Sequence, residues 1–234
     1  MQSSNPRRFA LSDIHGCRRT FAYMVEEVLK LNTTDTLYLL GDYIDRGPDS
    51  KGVIDYIWQL QAAGHNVVCL AGNHETMLLA AQIDPYSRDN RIWENNGGRE
   101  TLLSFGVERA YEIDRRYTDF FHQLPLYVEL DDYVLVHAGF DLSDPEASPL
   151  DNRYAMLWMR PNEWYKYLAE QRPFGDKIVI HGHTPQEHTD ILDSLDCHRF
   201  PAINIDAACA YQGKLCAFDL DRREVRFHDN IDML

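Results

Sequence analysis

The sequence predicts an α/β fold with mixed α/β and α+β character, built as a single domain over residues 1–234. Strands alternate with helices in the first third of the chain, and short segments rich in Val, Ile, Leu and Tyr follow one another in the second half. The chain has 234 residues, of which 44% are hydrophobic, and no repeat or low-complexity segment divides it. These features are typical of one substantial core around sheet structure.

The first third reads as strand, helix, strand, helix, strand. The apolar residues recur at helical spacing in the two longer segments, and the shorter segments are continuous apolar runs that end at polar residues. In order, these segments are 7–13 (RRFALSD), 20–31 (TFAYMVEEVLKL), 36–42 (TLYLLGD), 51–64 (KGVIDYIWQLQAAG) and 66–75 (NVVCLAGNHE). The alternation predicts βαβ units with parallel pairing and right-handed crossovers.

The middle of the chain is predicted to be mostly helical, and the second half to return to sheet. The helical segments are 76–82, 97–105 and 119–124, with a polar break near 85–91. Six short strands are predicted at 126–130, 133–139, 177–183, 202–208, 214–220 and 224–229. Turn residues separate them, so some are expected to pair as antiparallel hairpins. The acidic, proline-containing stretch 141–152 is expected to be an exposed loop near a site.

Composition excludes several classes of partner. Lys and Arg number 23 against 37 Asp and Glu, which leaves a net charge of -14. Such a charge opposes nucleic acid and anionic membrane surfaces. No segment is apolar enough for a membrane span or a signal peptide, so we expect a cytoplasmic protein. The five cysteines are scattered without a CxxC pair, which predicts reduced thiols and no thiolate zinc site.

Metal-ligating side chains follow several predicted strands. Asp13 and His15 come after the first strand, and Asp42 after the second. Asn73 and His74 follow the third, His137 a later one, and His181 and His183 another. The ends of parallel strands lie side by side, so these residues are expected to converge. Oxygen and imidazole ligands without thiolates favour manganese, with iron and zinc as alternatives.

The order of these motifs resembles a known family. The chain carries DIHG, GDYIDRG, GNHE, HAG and GHTP in that order, between about Phe9 and Asp219. It is similar to the calcineurin-like metallophosphoesterases, in particular the phosphoprotein phosphatase branch with its small bacterial and phage members. One departure is Ser12, where the family usually has glycine. The resemblance implies an αββα architecture, a central β-sandwich of mixed sheets flanked by helices.

The resemblance also implies a ligand set for two divalent metal ions. One ion is assigned to Asp13 and His15, and Asp42 bridges both ions. The second ion is assigned to Asn73, His137 and His183. His181 is left outside the set, as a supporting residue, and Asp206, at another strand end, is a further candidate for supporting the ligand histidines.

A hydrolysis by metal-activated water needs a proton for the leaving oxygen and donors for the phosphate. His74 is the predicted general acid, and Asp45 is expected to orient its imidazole. Arg46 and Arg160 are the predicted phosphate donors. For Arg160 the alternative is a structural ion pair with the acidic loop, at Asp144 or Glu146.

The leading function is a serine/threonine protein phosphatase, acting on a phosphorylated protein or a small phosphomonoester. The alternative is a symmetrical bis(nucleosyl)-tetraphosphatase or a broad-specificity small-molecule phosphatase. Tetraphosphatases of this kind carry ARGP and GNHD motifs, so Asp45 and Glu75 favour the phosphoprotein branch. A nuclease is disfavoured by the negative charge, and a non-catalytic metal-binding scaffold by the complete set of motifs. The oligomeric state stays open.

Overall fold

The computed structural model describes residues 5–84, 86–196 and 201–233. Its strands are β1 (Arg8–Leu11), β2 (Thr36–Leu39), β3 (Asn66–Cys69), β4 (Tyr127–Glu129), β5 (Tyr133–Val136), β6 (Ile178–His181), β7 (Ala202–Asn204), β8 (Lys214–Asp219) and β9 (Glu224–Asp229). Its α-helices are α1 (Arg18–Tyr23), α2 (Ser50–Ala62), α3 (Asn73–Ala81), α4 (Arg88–Trp93), α5 (Arg99–Phe105), α6 (Arg115–His122), α7 (Arg153–Trp158), α8 (Pro161–Gln171) and α9 (His188–Asp196).

The strands form two mixed sheets. The first has the order β3-β2-β1-β8-β9, and the second has the order β4-β5-β6-β7. β1, β2 and β3 pair in parallel, as do β5, β6 and β7. The predicted hairpins are antiparallel pairs, β4 with β5 and β8 with β9. The mixed α/β fold and the parallel βαβ units are therefore confirmed.

Each sheet is covered by helices on its outer face. Phe9 and Leu11 of β1 pack with Ile54 of α2 in one apolar cluster, whereas Ala10 between them packs against the second sheet. Val134 of β5 packs against Trp164 of α8 in a third cluster. Because neighbouring residues of a strand face opposite sides, each sheet contributes one face to a shared central core and one to a helical layer. This is the αββα arrangement.

Several helix boundaries follow from local chemistry. Asp49 caps α2, since its Oδ1 accepts from the backbone N–H of Gly52 at 2.9 Å. Pro161 occupies the first turn of α8, where its missing N–H costs nothing. The structure differs from the sequence prediction in its helices: α4 starts inside the predicted polar break, and α7, α8 and α9 lie in stretches for which no helix is predicted. Each of α4 and α7 has only six residues, too few to show a clear helical period.

The described cysteines Cys17, Cys69, Cys209 and Cys216 are buried free thiols, while Cys197 lies outside the described residues. Over the described ranges, no helix combines the length and apolarity that crossing a bilayer requires. The prediction of one domain over residues 1–234 includes positions outside the described part and stays a prediction. Stretch 141–152 is a largely exposed loop, as expected.

Candidate metal centre

The candidate ligands meet at the carboxyl ends of five parallel strands, three in the first sheet and two in the second. Asp13 and His15 follow β1, and Asp42 follows β2. Asn73 is the first residue of α3, directly beyond β3. His137 follows β5 and His183 follows β6. All six side chains are buried, so the structure brings together the residues for which the sequence predicts a shared site.

The backbone is strained at this place. Non-glycine residues rarely adopt positive φ, and such conformations cluster at functional sites because the surrounding structure must enforce them. Six of the predicted site residues have positive φ: Asp13 (51°), His15 (45°), Asp42 (55°), Asp45 (73°), Arg46 (68°) and His183 (69°). The strain turns each loop sharply enough to aim its side chain back over the strand ends.

Two groups of side chains could each hold a cation, and they share Asp42. The first group is His15, Asp42 and His74, and the second is Asp42, His137 and His183; within each, the ligand atoms lie within 4.8 Å of one another. Asp42 Oδ2 lies 3.5 Å from His15 Nε2 and 3.5 Å from His137 Nε2. A carboxylate between two groups is the geometry expected of a bridging ligand.

Asn73 and Asp13 complete the two groups. Asn73 Oδ1 lies 2.9 Å from His137 Nε2 and 2.9 Å from His183 Nδ1. Asp13 Oδ1 lies 4.0 Å from His15 Nε2, and Asp13 Oδ2 accepts from the backbone N–H of His183 at 3.0 Å. Asn73 therefore lies with the second group and Asp13 with the first, while the Asp13 carboxylate also ties the β1 loop to the β6 loop.

In His15 and His137 the proton lies on Nδ1, so the unprotonated Nε2 of each ring faces the Asp42 carboxylate. His15 Nδ1 lies 2.8 Å from the carbonyl oxygen of Ile44, and His137 Nδ1 lies 2.9 Å from that of Leu40. A carbonyl only accepts, so Nδ1 carries the proton and the Nε2 lone pair points at Asp42. Burial lowers the pKa of both imidazoles, which keeps them neutral. Lone pairs converging on a carboxylate in a buried site are unfavourable unless a cation lies between them.

A cationic side chain stands at the first group. The guanidinium of Arg46 hydrogen-bonds to His15 Nε2 and, at 2.9 Å, to His74 Nε2. At the second group, His183 Nε2 is buried and has no hydrogen-bond partner within residues 5–84, 86–196 and 201–233. Burial, reinforced by Asp13, raises the pKa of Asp42 well above its usual range. The ligand set consists of oxygens and neutral imidazoles, and the Arg46 guanidinium already contacts it. Such a set fits two divalent cations.

His74 and Asp45 form a buried pair beside the first group. His74 Nδ1 lies 2.7 Å from Asp45 Oδ2. Asp45 also accepts from Thr101 Oγ1 at 2.6 Å and from Trp93 Nε1 at 3.0 Å. Burial raises the pKa of Asp45 to about 8, against the lowering effect of those two donors. Asp45 is thus held rigidly, with one oxygen directed at the His74 ring.

A match to the calcineurin-like phosphoesterase family covers residues 7–212. The chain belongs to this family. Every candidate ligand and the His74–Asp45 pair lie within the matched residues, so the side chains that converge at the strand ends belong to the part of the chain that matches the family.

The curated relatives are named for nucleotide hydrolysis. A symmetrical bis(5'-nucleosyl)-tetraphosphatase of Pseudomonas putida strain F1 is 25% identical over 69% of this chain and 58% of its own length. The asymmetrical bis(5'-nucleosyl)-tetraphosphatase PrpE of Oceanobacillus iheyensis is 22% identical over 92% of this chain and 88% of its own. The chain therefore spans little more than half the length of the first of these relatives.

A solved structure shows the same fold. It is a protein serine/threonine phosphatase from Saccharomyces cerevisiae with similarity to human phosphatase PP5. The TM-score is 0.62 at 15% identity, with 97% of this chain and 80% of that chain covered. At this identity the likeness concerns the fold alone, and the calcineurin-like phosphoesterase fold is confirmed for this chain.

In this phosphoesterase the second predicted arginine lies at the edge of the centre. Arg160 is exposed, and its Nη1 donates to the carbonyl oxygen of His183 at 3.3 Å and to Thr184 Oγ1 at 3.2 Å. Among the described residues it makes no ion pair with Asp144 or Glu146, the structural alternative. Its guanidinium is thus available beside the second group.

The two supporting candidates differ in their contacts. His181 Nε2 accepts from the Tyr165 hydroxyl at 2.6 Å, so its ring contacts α8. Asp206 is buried, accepts from the backbone N–H of Ala208 at 3.0 Å, and has a raised pKa caused by burial and by Asp13. Both residues are therefore electrostatically close to the ligands, since His137 lowers the pKa of His181 in addition to burial, and His181 also contacts α8.

Sequence reasoning did not find the residues that hold the loops. Glu75 accepts from the backbone N–H groups of Asp42 (3.0 Å), Tyr43 (2.8 Å) and Gly72 (3.0 Å). Trp93 and Thr101 hold Asp45 from α4 and α5. For Glu75 a signal existed, since it is a carboxylate in the first turn of a helix beside a ligand. Trp93 and Thr101 lie 48 and 56 positions from Asp45, and no sequence signal links either residue to it.

Proposed function

We propose that this chain is a metal-dependent hydrolase of bis(5'-nucleosyl) tetraphosphates that uses water as the nucleophile. The observation that carries the proposal is the position of Asp42 between two ligand groups, which supports a pair of divalent cations at one site. The names of the curated relatives favour a dinucleotide substrate over the phosphoprotein that the sequence prediction ranks first.

The proposed ligands are those that converge on the strand ends. Asp13 and His15 would hold one ion, Asn73, His137 and His183 the other, and Asp42 both. Divalent ions bound there supply Lewis acidity, which acidifies water and polarises phosphoryl oxygens. The absence of thiolates from the set favours manganese, with iron and zinc as alternatives.

His74 is proposed to hold the proton that the leaving phosphate oxygen needs. Its Nδ1–H is directed to Asp45, which leaves Nε2 facing the centre. Burial and the charge of Arg46 lower the pKa of the His74 imidazole, whereas an ionised Asp45 behind the ring favours its charged form and fixes its orientation. We propose that the pair holds the proton on Nε2 at the position that Asp45 defines.

Arg46 and Arg160 are proposed to bind phosphate from two sides. Arg46 donates to His15 and His74, so it lies where an oxygen of a bound phosphate would receive the same N–H groups. Arg160 lies on the side of His183. Guanidinium groups are the preferred donors for phosphate because they offer parallel N–H bonds.

A serine/threonine protein phosphatase is the second candidate. Asp45 is present and paired with His74, and Glu75 holds the loop of Asp42, which are the residues that favour this branch. The negative net charge of -14 is compatible with either substrate when local arginines provide the positive charge.

The test compares kcat/KM for diadenosine tetraphosphate with kcat/KM for a phosphoserine peptide, in metal-loaded protein. We expect a preference for the dinucleotide of at least about tenfold, or about 1.4 kcal/mol. Product analysis distinguishes the cut, because a symmetrical cut yields two ADP and an asymmetrical cut yields AMP and ATP. A large preference for the phosphopeptide would replace the proposal with the second candidate, and metal binding without any turnover would support a scaffold.

A further inference from the structure

An apolar groove adjoins the second ligand group. Its walls come from three helices: Thr76 and Met77 of α3, Asp89 and Ile92 of α4, and Tyr154 and Trp158 of α7. We call it the Trp158 groove. Its volume is about 360 Å³, which is enough for a flat heteroaromatic ring system. The proposed hydrolysis does not use any of these residues.

The groove borders the metal centre through two of its lining residues. The ring of Trp158 meets the ring of the candidate ligand His183 edge to face, with 6.1 Å between centroids and 84° between planes. On the opposite wall, Thr76 Oγ1 donates to the carbonyl oxygen of Asn73 at 2.8 Å. A molecule anchored at the centre therefore has this groove as its next surface.

The groove presents aromatic and aliphatic surface to solvent. Tyr154 and Trp158 are four residues apart on α7, so they share a helix face. Their rings are nearly parallel, at 20°, with centroids 6.2 Å apart. Tyr154 is 72% exposed and Ile92 is 39% exposed. Such side chains normally contact a ligand or a partner when they flank a site.

The charges around the groove separate two regions. Asp89 is the only charged side chain among the lining residues, and it is exposed at the α4 wall. The nearest candidate phosphate donor, Arg160, stands two residues beyond Trp158 and contacts His183 and Thr184. Phosphate is therefore favoured toward Arg160 and the ligand groups, and an uncharged aromatic ring is favoured in the groove, where Asp89 can accept from an exocyclic amino group.

We propose that the Trp158 groove binds one nucleobase of a dinucleoside polyphosphate, with Tyr154 as the surface on which the base stacks. This inference rests on the proposed function, and it assigns substrate discrimination to α7. Stacking of a base on an aromatic side chain is tolerant of base identity and depends on the ring rather than on the hydroxyl group.

The test measures kcat/KM for diadenosine tetraphosphate and for inorganic tripolyphosphate, which has phosphoanhydride bonds but no base. Tyr154→Ala should lower the ratio of the first to the second about 5- to 150-fold, the usual loss for one base–aromatic contact. Tyr154→Phe should restore the ratio because it keeps the ring. Tyr111→Ala removes an exposed tyrosine outside the groove and should leave the ratio unchanged.

Two results would overturn the inference. Either Tyr154→Ala and wild type give the same ratio, or Tyr154→Ala lowers the rate on a phosphopeptide with an aromatic neighbour and spares the dinucleotide. The second result would assign the groove to peptide.

A binding measurement separates this inference from the proposed function. If wild type does not cleave diadenosine tetraphosphate, the function fails, and calorimetric titration with AMP and with inorganic phosphate still tests the groove. In wild type AMP should bind more tightly than phosphate, and Tyr154→Ala should remove most of that difference. An equal difference in both proteins rejects the base site.

Discussion

Replacing His74 with asparagine separates two roles that the geometry allows for this residue. His74 Nε2 lies 3.9 Å from Asp42 Oδ2, so the ring could either bind a cation or carry a proton. If it carries a proton, His74→Asn should lower kcat by about 10² to 10⁴ on substrates with poor leaving groups. At 1.36 kcal/mol per tenfold, that loss corresponds to about 2.7 to 5.4 kcal/mol of activation free energy. With p-nitrophenyl phosphate, whose leaving group needs little protonation, the loss should be much smaller.

The assay pairs steady-state rates on alkyl and aryl phosphates with metal content after dialysis. The proton role predicts unchanged metal content, because the histidine is tied to Asp45 through Nδ1 and five other side chains and Asp42 remain as ligands. His122→Asn, which alters an exposed histidine on α6, is the matched control. Loss of one metal equivalent in His74→Asn, or equal losses on both classes of substrate, would refute the proton role and make His74 a ligand.

Three further predictions follow from single contacts. Asp42→Asn should lower metal content and activity together, because Asp42 lies between both groups; retention of two equivalents after dialysis would contradict this. Gly97→Ala should lower the free energy of unfolding by about 1 to 3 kcal/mol and reduce activity. The reason is that φ of Gly97 is 105° and an added Cβ would lie 2.5 Å from the backbone nitrogen of Arg46. Thermal melting measures the loss, and Gly106→Ala is the control because Gly106 also has positive φ but has free space around it. Burial opposes ionisation of Asp35, but the hydrogen bonds from Arg7 outweigh burial and lower the pKa of Asp35 below its ordinary value of 3.8. The ionised carboxylate therefore stabilises the fold at pH values above 3.8, and this stabilisation is lost as the pH falls from 3.8 through the lowered pKa. Asp35→Asn should therefore flatten the acid limb of a stability–pH curve, and an unchanged limb would exclude this pair as its source.

The order of secondary structure was predictable because its signals are local. The predicted strands at 7–13, 36–42 and 66–75 contain β1, β2 and β3, and the predicted helix at 51–64 covers α2 except for its first residue. Apolar period and turn residues operate within about ten positions, so they can be read without knowing the rest of the chain. The same holds for Asp13 and His15, whose spacing puts both beside one strand end. Short helices such as α7 were not predicted because six residues are too few to show the helical period of apolar residues.

By itself, the sequence determined which side chains stand at the strand ends and which chemistry they can perform. The pairing of Trp93 and Thr101 with Asp45, the sharing of Asp42 by two groups and the placement of Trp158 beside His183 were decided only by the tertiary structure. These contacts join residues separated by tens to more than a hundred positions. No local pattern encodes them, because they arise from how two sheets and their helices pack, and packing depends on the whole chain at once.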